Sequence, residues 1–111
     1  MKKIALPIVD NKLSPHFGHC QYFSVFSIDN NEIKNIIELI PPPHEPGLLP
    51  GWLAEKGVTD IISGGMGQRA IDIFNQNNIN VHIGAQIKEA KELILDYIEG
   101  TLDTNENSCD H

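Results

Sequence analysis

The chain has 111 residues, of which 41% are hydrophobic and 21% charged, and its formal net charge is −7. That is enough apolar sequence for one domain with one core. The acidic balance excludes the basic surface that nucleic acids and anionic membrane faces require. No apolar stretch is long enough to cross a bilayer. The run Ile4 to Val9 is too short for a signal peptide and is broken by Pro7 and closed by Asp10. Without a signal peptide, the two cysteines read as reduced thiols rather than a disulfide framework, and the expected compartment is the cytoplasm.

Taken in order, Ile4 to Val9 is a continuous apolar run, the pattern of a central strand covered on both faces. Pro7 is awkward in it, because proline cannot donate to a ladder. Asp10 to Pro15 has loop composition. Tyr22 to Ile28 is aromatic and β-branched, hence a strand. Asp29-Asn30-Asn31-Glu32 signals a hairpin turn. Ile33 to Ile40 alternates as a further strand, with Ile33, Asn35, Ile37 and Leu39 expected on one face. Pro41 to Pro50 holds five prolines and cannot be regular structure.

Leu49, Trp52 and Leu53 then have helical spacing, so a short helix is expected from Pro50 to Lys56, closed by Gly57. Val58 to Ile62 reads as a short buried strand. A helix from Gln68 to Asn75 follows, with Ala70, Ile73 and Phe74 inward, and Asn77-Asn78 ends it. Ile79 to Ile83 is a last strand, and Gln86 to Glu99 a last helix, stopped by Gly100. The strand–helix–strand–helix order implies parallel strands. The expectation is an α/β domain over residues 1–100: five strands in one mixed sheet, three helices, and spatial strand order 3-2-1-4-5. The first three strands are antiparallel and the last two parallel to the first. Residues 101–111 form a polar tail.

Several stretches carry chemistry. Ser14-Pro15-His16-Phe17-Gly18-His19-Cys20 places two imidazoles and a thiol within five residues, a dense set of metal ligands on a loop after the first strand. Its spacing is not that of a zinc finger. The chain ends on Cys109-Asp110-His111, a second Cys/His pair with no packing role in so polar a segment. His44, among prolines, is a further candidate ligand, whereas His82, within a strand, reads as structural. Ser63-Gly64-Gly65-Met66-Gly67 precedes a helix. Its backbone amides and the helix N-terminus favour an anion, and Arg69 could add a charge-assisted contact. It is neither a dinucleotide fingerprint nor a P-loop. The strand order brings the loops after the first and fourth strands to one carboxyl edge, where open α/β sheets bind ligands. No nucleophile elbow or zinc-protease motif is present, and Asp10, Asp29 and Asp60 show no convergence of the kind a two-metal hydrolase needs.

Together, Lys3-Ile4-Ala5-Leu6-Pro7, the loop Ser14 to Cys20, the turn Ile62 to Gly67 and the terminal Cys109-x-His111 resemble the dinitrogenase iron–molybdenum cofactor biosynthesis family, of the NifX and NifB C-terminal type. The resemblance covers roughly residues 1–100. It implies a ribonuclease H-like fold and the binding or carrying of an iron–sulfur or iron–molybdenum cluster or its precursor, without catalytic turnover. It implies metal-cluster donor and acceptor proteins as partners. The family's ligand-loop histidine corresponds to His16 and its glycine turn to Gly64, Gly65 and Gly67. Cys20 stands where the family often has a small residue such as alanine. The expected metal-binding set is His16, His19, Cys20, His44, Cys109 and His111, with Gly64, Gly65, Met66, Gly67 and Arg69 contacting the cofactor; a single transition-metal ion is the lesser alternative to a cluster. The expected oligomeric state is a monomer or weak homodimer. Competing readings are a metal-free regulatory or interaction module, and a metal-dependent hydrolase.

Overall fold

The structure is a computed structural model that describes residues 2–15, 17, 20–41 and 48–102. Its elements are β1 (Lys2–Val9), β2 (Lys12–Leu13), β3 (Tyr22–Asp29), β4 (Glu32–Leu39), α1 (Leu48–Glu55), β5 (Asp60–Ile62), α2 (Gln68–Gln76), β6 (Asn80–His82) and α3 (Ala90–Glu99). The sheet runs β4-β3-β1-β5-β6, with β2 paired to β1 off this path. β1 is antiparallel to β3, β3 is antiparallel to β4, and β5 and β6 run parallel to β1. The five strands expected from the sequence thus lie in the expected order.

β1 is central because its side chains are apolar on both faces. Ala5 joins a core cluster with Phe23, Val25, Leu53, Ile61 and Phe74, against α1 and α2. Ile4, Leu6 and Ile8 join a second cluster with Phe26, Ile62, Leu93 and Ile94, against α3. A sheet covered on both faces needs such a strand in the middle.

Several differences from the sequence reading have identifiable causes. Asp10 to Pro15 is not plain loop, since Asp10 (φ 52°) and Asn11 (φ 66°) form a left-handed two-residue turn that pairs β2 back onto β1. Both residue types tolerate that conformation, which is the primed hairpin geometry. The same geometry recurs at Asn30 and Asn31, the turn that was expected. Pro7 lies inside β1 opposite Phe23, and its carbonyl accepts from the Ser14 amide at 2.8 Å. That edge of β1 is shared: β5 pairs with Ile4 and Ala5, and β2 takes over from Ile8. Pro7 occupies the handover, where its missing N–H removes no ladder bond.

In β4, the register against β3 shifts between Ser27 and Ile28, leaving Lys34 unpaired. This bulge turns Ile33 away from the face of Ile37 and Leu39 and into the second core cluster. Finally, α3 begins at Ala90, four residues later than its apolar spacing suggests. The preceding segment is bound elsewhere: the Lys88 carbonyl accepts from the Leu13 amide at 2.9 Å, and Gly84 takes φ 79° to turn the chain. Inside α2, Ala70, Ile71 and Phe74 reach the core cluster, Ile71 taking the place expected of Ile73.

Candidate functional site

Three connections leave the carboxyl ends of β1, β5 and β6 at one edge of the sheet and bond to each other there. The Ser63 amide donates to the His82 carbonyl at 2.9 Å, and Gly84 donates to the Gly64 carbonyl at 3.1 Å. The Phe17 amide donates to the Gly65 carbonyl at 3.1 Å, so the loop after β1 is joined to the turn after β5. The Ser63 hydroxyl donates to that same Gly65 carbonyl at 2.9 Å, closing the turn on itself. Ser14, Pro15 and Phe17 on one side and Ser63 to Gly67 on the other, far apart in the sequence, therefore form one surface.

Phe17 is what fixes the first loop. It is buried, packing edge-on to Phe74 at 5.2 Å between ring centroids and tilted against Phe23 at 5.8 Å. The sequence reading passed over it, although an aromatic between two histidines was visible.

The glycines of the turn have separate reasons. None of Gly64, Gly65 and Gly67 has positive φ, so torsional freedom explains none of them. A Cβ on Gly64 would lie 3.2 Å from Pro15 Cα and 3.3 Å from both the Ser14 carbonyl oxygen and Ile87 Cδ1. The glycine there lets the two loops touch. Gly67 has open space around it and is the N-cap of α2, without a side-chain cap. The first amides of α2 are thereby presented to the same edge, where a helix N-terminus favours negative charge. Met66 is buried in the first core cluster, so its side chain serves packing and only its backbone borders the turn. Arg69 is exposed in the first turn of α2.

Of the expected metal ligands, Cys20 is the one within the described residues. It is partly buried against the first core cluster. Burial pushes its thiol up to about 11, only partly offset by backbone hydrogen bonds at Cys20 and Ile8. At neutral pH it is a protonated thiol rather than a ready thiolate ligand. His16, His19, His44, Cys109 and His111 lie outside the described residues, and among the described ones no group of three or more His, Cys, Asp or Glu side chains could hold a metal ion.

A polar cluster that the sequence reading did not assemble lies at the other end of the parallel strands. Asp60 is 1% exposed. Its carboxylate accepts from Thr59 Oγ1 at 2.7 Å and lies 3.1 Å from His82 Nε2, with Asn80 Nδ2 at 3.4 Å and Tyr97 Oη at 3.5 Å. Lys2 Nζ stands 3.7 Å away. Burial alone would raise the Asp60 pKa; the His82 and Thr59 hydrogen bonds and the Lys2 charge outweigh it and hold the carboxyl below the usual carboxylate value. His82 was read as structural, and its partner is Asp60. The signal available was register: adjacent parallel strands put Asp60 and Asn80 side by side.

The sequence profile of the family described as dinitrogenase iron–molybdenum cofactor matches residues 1–100. The chain belongs to this family. Protein MJ0580 of Methanocaldococcus jannaschii is 38% identical over 109 residues, covering 93% of this chain and 91% of its own. Among solved structures, PH0822 is 28% identical and superposes with a TM-score of 0.89 over 98% of this chain and 99% of its own. MJ0327, also from Methanocaldococcus jannaschii, is 24% identical with a TM-score of 0.77 over 95% of both chains, a likeness of fold. Iron–molybdenum cofactor is thus the chemistry with which the family is associated. Among the described residues no helix is long and apolar enough to cross a membrane.

Proposed function

We propose that this protein binds an iron–sulfur or iron–molybdenum cluster, or its precursor, as cargo, and passes it between donor and acceptor proteins without catalytic turnover. The observation that carries the reading is the junction of the histidine loop with the glycine turn, through the Phe17–Gly65 hydrogen bond and the Gly64–Pro15 approach. In this reading His16 and His19, on either side of anchored Phe17, are the ligands on the loop. The amides at Gly64, Gly65 and Gly67, the start of α2 and Arg69 offset the negative charge of the cargo. Cys109 and His111, with His44, supply further ligands, and Cys20 joins them only if metal displaces its proton. Release of the cargo needs no more than exchange of imidazole or thiolate ligands with those of the acceptor.

A hydrolase reading is less well supported. Asp60 is the one buried carboxylate among the described residues, and its oxygens already meet Thr59, Asn80, His82 and Lys2.

The test is anaerobic reconstitution followed by metal analysis and an absorption spectrum, on the full chain, on His16→Ala and on a chain truncated after Gly100. Bound iron with charge-transfer bands, lost in His16→Ala and reduced in the truncation, is expected. Cys20 alkylation, followed in a Cys109→Ser background, should stay slow at neutral pH in the metal-free protein. A colourless protein after reconstitution, or uptake that His16→Ala leaves unchanged, would defeat the proposal and favour a metal-free interaction module.

A further inference from the structure

The far edge of the sheet is β4, eight residues long, which pairs with β3 on one side. Among the described residues nothing pairs with its other side. Edge strands are commonly short, charged or covered, because an open edge recruits another strand. This one is long and carries Ile36 at 49%, Ile37 at 43% and Ile40 at 73% exposure. Its helices leave it largely uncovered: only Ile33 and Leu39 are partly buried against the core clusters.

We infer that β4 is a homodimer interface, in which a second copy of this chain pairs antiparallel across a two-fold axis at Ile36. Such an axis, perpendicular to the sheet, must place one residue opposite its own copy, so the candidate registers are few. Centred on Ile36, the pairing sets Ile36 against Ile36 of the second copy. Lys34 then faces Glu38 of the second copy, and Glu38 faces its Lys34. Opposite charges directly across two strands attract, and apolar pairs gain burial. Centring on Asn35 would oppose Glu32 and Glu38, two like charges. Centring on Ile37 would set Glu38 against Ile36 and Lys34 against Ile40. One register therefore satisfies both the charges and Ile36, and the strand is complementary to itself, as an isologous contact requires.

Lys34 and the bulge beside it are devices that ordinarily guard an edge. Here the bulge is confined to Ile33 and Lys34, the remainder of β4 keeps regular register with β3, and the self-pairing sets Lys34 directly opposite a carboxylate, Glu38 of the second copy. In the monomer its ammonium lies 3.0 Å from Glu32, an exposed contact that gives way easily. The occupant that fits best is thus another β4 rather than an arbitrary strand. The result is one continuous sheet through two molecules, with the two candidate cluster sites at opposite sheet edges and free to act independently. A contact made mostly by one strand is smaller than the standard interface of about 800 Å² per partner, so the dimer should be concentration-dependent.

The experiment is sedimentation equilibrium of the full, metal-free chain over a concentration series, under reductant so that no disulfide intervenes. A monomer–dimer equilibrium is expected. Ile36→Lys, which sets two ammonium groups against each other, should give a monomer throughout. Lys34→Glu and Glu38→Lys should each weaken dimerisation by about tenfold or more, and the double exchange should restore it. Circular dichroism checks that each variant is folded; should Ile36→Lys unfold, the two exposed charge variants and their combination carry the test alone. A chain that is monomeric at every concentration, a dimer indifferent to folded Ile36→Lys, or a double exchange no tighter than the single ones would each overturn the inference.

Discussion

A methyl group at Gly64 would stand 3.2 Å from Pro15 Cα and against the Ser14 carbonyl, both backbone atoms that cannot simply swing aside. Gly64→Ala should therefore cost about 1–3 kcal/mol of stability and push the histidine loop off the glycine turn. Gly67→Ser, three residues on, meets open space at an N-cap and should be neutral or stabilising by a few tenths of a kcal/mol. Urea unfolding of the two variants checks this, and equal losses for both would mean the loop contact is not what Gly64 provides. The sequence showed a turn richer in glycine than a β–α connection needs. It could not show that one glycine is there for close approach to another loop, because that neighbour lies some fifty positions earlier. Phe17 is a similar case. Its identity was legible but its burial was not, since the cavity it fills is built by Phe23 of one strand and Phe74 of a helix.

At the scale of elements, Asp60 joins the start of β5 to β6 through Asn80 and His82, to α3 through Tyr97 and to β1 through Lys2. Its folded pKa is depressed, so its contribution is present above the unfolded carboxyl pKa and is lost as the pH falls through the lower folded value. Asp60→Asn should lower stability at neutral pH by about 2–3 kcal/mol, the usual loss when hydrogen bonds to a charged group are weakened. It should also flatten the acid limb of a plot of urea midpoint against pH. A variant whose acid limb parallels that of the unmodified protein would show that other carboxylates carry the pH dependence. Element boundaries were legible where a local signal set them: Gly57 and Gly100 in the left-handed conformation after α1 and α3, and the Asn30-Asn31 turn. They were misread where a distant partner set them. The start of α3 is delayed by the Lys88–Leu13 bond, and the β4 bulge moves Ile33 to a face that strict alternation denies it.

The whole molecule has one sheet with a core cluster on each face, and the same strands feed both. Ala5 and Ile61 serve one cluster, while Ile4, Leu6 and Ile62 serve the other. Neither layer can melt without exposing the back of the strands that hold the other, which predicts a single cooperative transition. Fluorescence of Trp52, the sole tryptophan, reports on the α1 face. Its urea transition should coincide with that of far-ultraviolet circular dichroism, and separated midpoints would mean the two layers unfold independently.

What the sequence by itself determined was every strand but β2, the three helices and the order of those strands in the sheet. Those follow from hydrophobic period, turn chemistry and the rules of strand connection, all of which act over short stretches of chain. Tertiary structure alone decided which glycine touches which loop, where α3 begins and that Asp60 faces His82. It also decided that Ile36, Ile37 and Ile40 stay exposed on the edge strand. Each of these depends on atoms brought together from distant positions, and burial belongs to that assembly rather than to any one segment.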